Sequence, residues 1–175
     1  DITNYILKEL GQPMHAFDCN YLEGNAINVR CAGDGEKIVA LNEKEYVLDS
    51  SNLVICDGVK PVAIAGVMGG LNTDVDDTTT NILIESAIFD AVSMRYTASN
   101  LNLRSEASIR YGKGLNYEYT LMAINRACHL LEKYADAKIL SGIVTHDTLD
   151  KTPKIVEFRG DEVNKLLGIT ISDSD

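Results

Sequence analysis

The feature that most limits the fold is a run of short apolar segments between Ala26 and Gly70, each closed off by turn residues. Ala26–Ala32, Lys37–Leu41, Glu45–Leu48, Leu53–Cys56 and Pro61–Ala65 are too short for helices. Gly33-Asp34-Gly35 and Asp57-Gly58 between them carry turn chemistry, so the region reads as successive strands. Helical patterns lie on either side. Ile2, Tyr5, Ile6 and Leu10 recur at helical spacing before Gly11 and Pro13. Asp90 to Ala98 is predicted helical with Asp90 as its N-cap, and Asn81–Ala87 is a further strand. Tyr117 to Tyr134 is the clearest helix, with Leu121, Ile124, Cys128 and Leu131 as its apolar stripe. No βαβ rhythm runs through the chain, so the class is α+β rather than doubly wound.

Beyond the long helix, Ile139–Val144 and Lys154–Phe158 read as late strands, and Asp161 to Gly168 as the start of a small helix. A boundary is expected near Asp150–Pro153, separating a domain over 1–150 from a linker and truncated next domain over 151–175. The opening at Asp1 without an initiator Met, inside a pattern, reads as a piece of something longer.

Charge narrows the function. The 16 Lys and Arg against 26 Asp and Glu give a net charge of −10. Broad phosphate neutralisation needs a basic stripe, so any RNA contact has to be local. No apolar run approaches the roughly 18–20 residues of a membrane span. Cys19, Cys31, Cys56 and Cys128 form no C-x-x-C pair, and His15, His129 and His146 do not fall at zinc-ligand spacings. No metal site is expected, Cys56 and Cys128 read as small core residues, and the usage fits a reducing cytoplasm.

Several motifs carry a bland and a sharp reading. Ala65-Gly66-Val67-Met68-Gly69-Gly70 lacks the Lys-Ser/Thr of a phosphate loop and the spacing of a dinucleotide site. Alone it reads as a tight turn; the alternative is a backbone that approaches a ligand. Asp74, Asp76 and Glu85 sit at positions 1, 3 and 12 of a calcium loop, but Thr79 stands where glycine is required. Glu85 lies among apolar strand residues, and read alone it points to solvent at a strand end. The sharp reading puts it in a partly buried pocket that must offer a donor. His15, between Met14 and Phe17, reads as a loop residue able to handle protons near neutrality, without the order of a catalytic triad. Arg104 to Gly114 is the notable basic cluster, either a charged helix with a glycine stop or a local contact for an RNA end.

Taken in order, five segments resemble one family: Asp1-Ile2-Thr3-Asn4-Tyr5, Glu9 to Asp18, Ala63 to Gly70, Ile82 to Ala87, and Leu103 to Ser108. They are similar to the central editing domain of the bacterial phenylalanyl-tRNA synthetase β-subunit, with the resemblance running from Asp1 to about Thr148. Glu162-Val163-Asn164-Lys165-Leu166-Leu167-Gly168 resembles the start of that subunit's next domain. The resemblance implies a three-layer α+β domain with a β-sandwich of unusual topology and flanking helices. It implies hydrolysis of tyrosine wrongly esterified to the 3′ end of the phenylalanine tRNA, as part of protein biosynthesis. By the same resemblance Glu85 holds the tyrosine hydroxyl, Gly66 and Gly69 line the pocket, and Thr3, Asn4 and His15 sit near the amino acid and its ester. Ser105 and Ala107 shape the far wall. His15 and Asn4 are the residues implied to act on the ester, by orienting a water or polarising the carbonyl.

The implied partners are the tRNA end and an α-subunit in an α2β2 enzyme, in the cytoplasm, with no DNA and no membrane. The full ligase needs ATP and magnesium, but this part needs no cofactor. A non-catalytic module binding a tRNA end or a protein is the rival reading. The family's usual Arg-Phe-Glu-Lys-Gly-hydrophobic-Asp-Pro run is Arg110-Tyr111-Gly112-Lys113-Gly114-Leu115-Asn116-Tyr117 here, a departure outside the pocket motifs.

Overall fold

Helix α1, Ile2–Leu10, forms as its spacing predicts and buries Ile6 and Leu7. It ends at Gly11, whose N–H donates to Leu7 C=O at 3.1 Å. The structure, a computed structural model, describes residues 2–172. The segment after α1 departs from the loop expected around His15. Met14–Asp18 is a strand, β1, paired antiparallel with β8, Ile82–Ser86. Gly11 and Pro13 locally favour a loop, whereas the hydrogen-bonding partner that makes a strand lies far along the chain.

The predicted strand run is present: Leu53–Cys56 keeps its expected ends, and the other four are trimmed by a residue or more. β2 is Asn28–Cys31, β3 Lys37–Val39, β4 Glu45–Val47, β5 Leu53–Cys56, β6 Pro61–Ile64 and β7 Met68–Gly69. β2-β5-β6-β7 form an antiparallel sheet, β3 and β4 a hairpin, and β1 and β8 a separate ribbon. Helix α2, Ala91–Asn100, is capped by Asp90, whose carboxylate accepts from Ser93 N–H at 2.7 Å. Helix α3 is Glu106–Tyr111 and helix α4 is Glu118–Ala135.

Alternation along the strands sets the layers. One face of the β1–β8 ribbon presents Met14 and Ile84 to a cluster of Ile6 from α1 and Ala123, Ala127 and Leu130 from α4. The other face inserts Phe17 among Ile55, Val62, Ala63 and Ala65 of the four-stranded sheet. The far face of that sheet packs Val54, Cys56 and Ile64 against Ile38, Leu48, Met94 and Tyr111. The domain is thus α+β, a helix pair, a ribbon and a sheet in succession, with no closed barrel among the described residues.

Helix α4 buries Ala123, Ala127 and Leu130, not the expected stripe of Leu121, Ile124, Cys128 and Leu131; Leu121 is 52% exposed. The two stripes share one period and differ by one residue, about 100° around the helix. The alanines carry little hydrophobic signal, yet their small side chains let α1 and β8 approach closely. Arg126 fixes the contact, with Nε and Nη2 each donating to Glu9 at 2.8 Å.

The chain divides into two compact units, the first ending at Ile139 and the second starting at Leu140. Ile139–Val144 and Lys154–Phe158 are not strands: neither segment pairs with anything among the described residues. Their composition suits a strand, but a strand exists only with a partner. Helix α5, Gly160–Leu167, forms as predicted and is closed by Gly168. Among the described residues no helix is long and apolar enough to cross a membrane.

One buried carboxylate holds the strand run together at the turn after β5. Asp57 accepts from Val59 N–H and Lys60 N–H at 2.7 Å and from Glu23 N–H at 3.0 Å. Burial alone raises its pKa, but these three amides and the Lys60 ammonium outweigh it and hold the carboxyl at about 2. The folded-state value lies below the unfolded one, so the stabilisation is present above pH 4 and lost as pH falls towards 2. Asp57→Ala is expected to cost about 2 kcal/mol at pH 7. Urea unfolding should show the deficit shrinking as the pH is lowered through that window.

Candidate active site

The ribbon register does what spacing alone cannot: it sets His15 directly opposite Glu85. Cross-strand partners share a face, with Cβ atoms roughly 4.5–5.5 Å apart. That face looks into a cavity of about 220 Å³. Thr3 and Asn4 reach it from α1, Gly66 from the turn between β6 and β7, Gly69 from β7 itself, and Ser105 and Ala107 from the start of α3. All eight residues singled out in the sequence therefore line one cavity. Leu7, Ile55, Val67, Met68 and Tyr111 complete largely apolar walls.

The glycines are required by their neighbours. Gly66 has φ +66°, and a Cβ there would lie 2.6 Å from Met94 Sδ and 2.8 Å from Phe89 Cδ2. At Gly69 a Cβ would lie 2.4 Å from His15 Cε1 and 2.7 Å from Nε2. The tight turn read from the glycine run is present, with Gly66 at φ +66°. The bare backbone at Gly69 also leaves room for the His15 ring to pack against it. Ser105 fastens this turn to α3, its hydroxyl donating to Val67 C=O at 2.6 Å and accepting from Ser108 N–H at 3.0 Å. Ser108 returns the bond, its Oγ accepting from Ser105 N–H at 2.9 Å, a reciprocal cap.

Glu85 does not point to bulk solvent, as its strand context alone suggests. It is partly buried, faces the cavity, and has no hydrogen-bond or ion-pair partner among the described residues. Burial pushes its carboxyl up to about 7, a level at which half the molecules carry the proton at neutrality. Burial lowers His15, with the Asp74 carboxylate pulling the other way. The imidazole packs edge-on to Phe17, ring centres 4.6 Å apart, and its Nε2 is buried without a partner. The site thus holds a neutral imidazole and a carboxyl poised between its two forms.

Two supporting residues carry no signal of their own in the sequence. Gln12 Nε2 donates to Ala87 C=O at 2.9 Å and lies 3.1 Å from Pro13 C=O. The Tyr111 hydroxyl lies 3.2 Å from Ala87 C=O and 3.3 Å from Pro13 C=O. Burial and the nearby Glu85 charge raise Tyr111 well above its ordinary value, so it stays a neutral donor. Both side chains stitch the end of β8 to the start of β1, which fixes the His15–Glu85 pairing.

An apolar slot with one unpartnered carboxyl suits an aromatic ring bearing one hydrogen-bond donor. A neutral imidazole and an amide at the same cavity suit the orientation of a water or a carbonyl. Among the described residues no group of three or more His, Cys, Asp or Glu side chains is placed to hold a metal ion.

Residues 1–136 match the B3/4 domain family. The chain is 49% identical over 172 residues, 98% of its length, to the phenylalanine–tRNA ligase beta subunit of Moorella thermoacetica. Over all 175 residues it is 46% identical to the beta subunit of Bacillus cereus and 43% identical to that of Staphylococcus aureus. It covers 21% or 22% of those relatives, and so spans about a fifth of their length.

Proposed function

Since the chain belongs to the B3/4 domain family of phenylalanine–tRNA ligase beta subunits, we propose that its cavity is an editing site that hydrolyses tyrosine mischarged onto phenylalanine tRNA. The parent molecule would be a beta subunit assembled with an alpha subunit, with ATP and magnesium used elsewhere in the ligase. The observation that carries the reading is Glu85: an unpartnered carboxyl facing an apolar cavity directly across the ribbon from His15.

Physical chemistry supports the choice of tyrosine. An apolar synthetic pocket rejects an isostere that adds a hydroxyl only modestly, so a second site is needed. Discrimination there comes from hydrogen bonding. The tyrosine hydroxyl donates to the Glu85 carboxylate, whereas phenylalanine leaves that group desolvated and unpaired, at a cost of about 1–3 kcal/mol. In the hydrolysis, water adds to the ester carbonyl carbon, the bond to the ribose oxygen breaks, and the proton of the water ends on that oxygen. Tyrosine leaves as the free acid. The ester is already activated, so holding a water in line does much of the work. Asn4 and His15 are the polar groups assigned to that water or the carbonyl, and the lowered pKa of His15 keeps its nitrogen able to accept a proton.

The full-length ligase, given tyrosine-charged phenylalanine tRNA, is expected to release free tyrosine faster than phenylalanine from the cognate ester. His15→Ala should slow that release about 100-fold. Binding of the mischarged tRNA without release would support the non-catalytic alternative and overturn this one.

The raised Glu85 pKa gives a further expectation. Accepting the phenol proton favours the ionised carboxylate, so binding releases a proton and strengthens as pH rises towards 7, then levels off. Below pH 6 the affinity of the cavity for tyrosine should fall about tenfold per unit. Calorimetry in buffers of different ionisation enthalpy reads the proton directly; an affinity flat from pH 5 to 8 contradicts the assignment.

A further inference from the structure

Beside the cavity-lining residues of α1 and α3 stands a local group of cations in an otherwise acidic chain. Lys8 stands one turn after Asn4 on α1, and its Nζ lies 3.4 Å from Glu106 Oε2 at the start of α3. Arg110 Nη1 lies 2.6 Å from the same oxygen. Two cations therefore share one carboxylate across the mouth. Arg104, exposed and next to the cavity-lining Ser105, has no hydrogen-bond or ion-pair partner among the described residues. The other acid of α1 on this stretch, Glu9, is held by Arg126. Three cations thus stand beside one carboxylate where α1 meets α3, while Asp74 acts on His15 and Glu85 lies inside the cavity, so the positive charge is confined to this side of a chain of net charge −10.

We propose that Lys8 and Arg104 form a phosphate-binding rim that holds the backbone of the terminal nucleotides while the esterified amino acid enters the cavity. The inference rests on the editing reading and supplies the local RNA contact that so acidic a domain needs. Arg110 keeps Glu106 neutralised, which frees Lys8 to turn to a phosphodiester. Backbone contacts of this kind position a nucleic acid without reading its bases.

The test compares two substrates in the full-length beta subunit assembled with its alpha subunit: tyrosyl-tRNA, and a tyrosyl ester of adenosine that has no phosphate. Lys8→Glu and Arg104→Glu should each raise KM for tyrosyl-tRNA about tenfold at 0.1 M salt. The slope of log kcat/KM against log salt should become shallower by about 0.7 for each contact removed. Hydrolysis of the nucleoside ester should not change. Arg104→Gln and Lys8→Gln, which remove charge without reversing it, should show the same pattern more weakly. Equal losses on both substrates, or an unchanged salt slope, overturn the rim. If the unaltered enzyme releases tyrosine from neither substrate, the editing reading fails first and the rim with it.

Discussion

Replacing Glu85 by alanine is expected to lower kcat/KM for release of tyrosine about 100-fold, while hydrolysis of a phenylalanyl ester stays level or rises. A hydrogen bond to an ionised acceptor contributes about 1.5–3 kcal/mol, and each 1.36 kcal/mol is tenfold in rate. Phenylalanine never makes that bond, and removing the carboxyl removes the penalty it met. Glu85→Gln isolates the charge from the bond. Its amide oxygen still accepts from a phenol, so the loss should be nearer tenfold, and the activity should no longer fall as pH drops below 7. Stability should move the opposite way. The folded-state carboxyl titrates near 7 against an ordinary 4.5, so ionising it opposes folding. That opposition is absent below pH 4, grows between pH 4.5 and 7, and reaches about 3 kcal/mol above pH 7. Glu85→Gln should therefore unfold at higher urea than the parent at pH 8 and at the same urea at pH 4. A variant that loses tyrosine discrimination while gaining stability identifies a group kept for recognition. One that loses both identifies Glu85 as a structural residue.

How much of this was legible depends on where each residue finds its partner. The strands from Asn28 to Ile64 and the helices α1, α2 and α4 declare themselves locally, through alternation, turn residues and the Asp90 cap. The strand holding His15 does not, because its partner is β8 and its own flanks are Gly11 and Pro13. The environment of Glu85 is equally remote. Its cavity is assembled from α1, the glycine turn and α3, so a local pattern could not decide between solvent and pocket. Gln12 and Tyr111 act on the backbone carbonyls of Pro13 and Ala87, which leave no mark on residue type. The stripe on α4 was displaced because alanines, poor in hydrophobic signal, are what a close helix contact selects. The site residues emerged together only through their resemblance to a family. The reason they belong together is the ribbon register.

That register gives Gly69→Ala a large and specific effect. The added methyl would stand 2.4 Å from His15 Cε1, well inside contact distance, so one of the two has to move. The backbone at this turn is held on both sides: Gly69 C=O accepts from Leu41 N–H at 3.0 Å, and Gly70 N–H donates to Val62 C=O at 2.8 Å. The imidazole is the softer partner, and with Phe17 against its edge it has to leave its seat for another rotamer. Gly69→Ala should therefore cost about 1–3 kcal/mol of stability and lower tyrosine release as far as His15→Ala does. The decisive measurement is the double variant. With His15 already reduced to alanine the clash is gone, so adding Gly69→Ala should cost less than about 0.5 kcal/mol and leave the residual activity unchanged. A coupling of about 1–2 kcal/mol in that cycle, matched by non-additive rates, identifies the missing Cβ at 69 as the seat of the imidazole. Fully additive losses mean the glycine serves the turn alone, and that His15 takes its position from elsewhere.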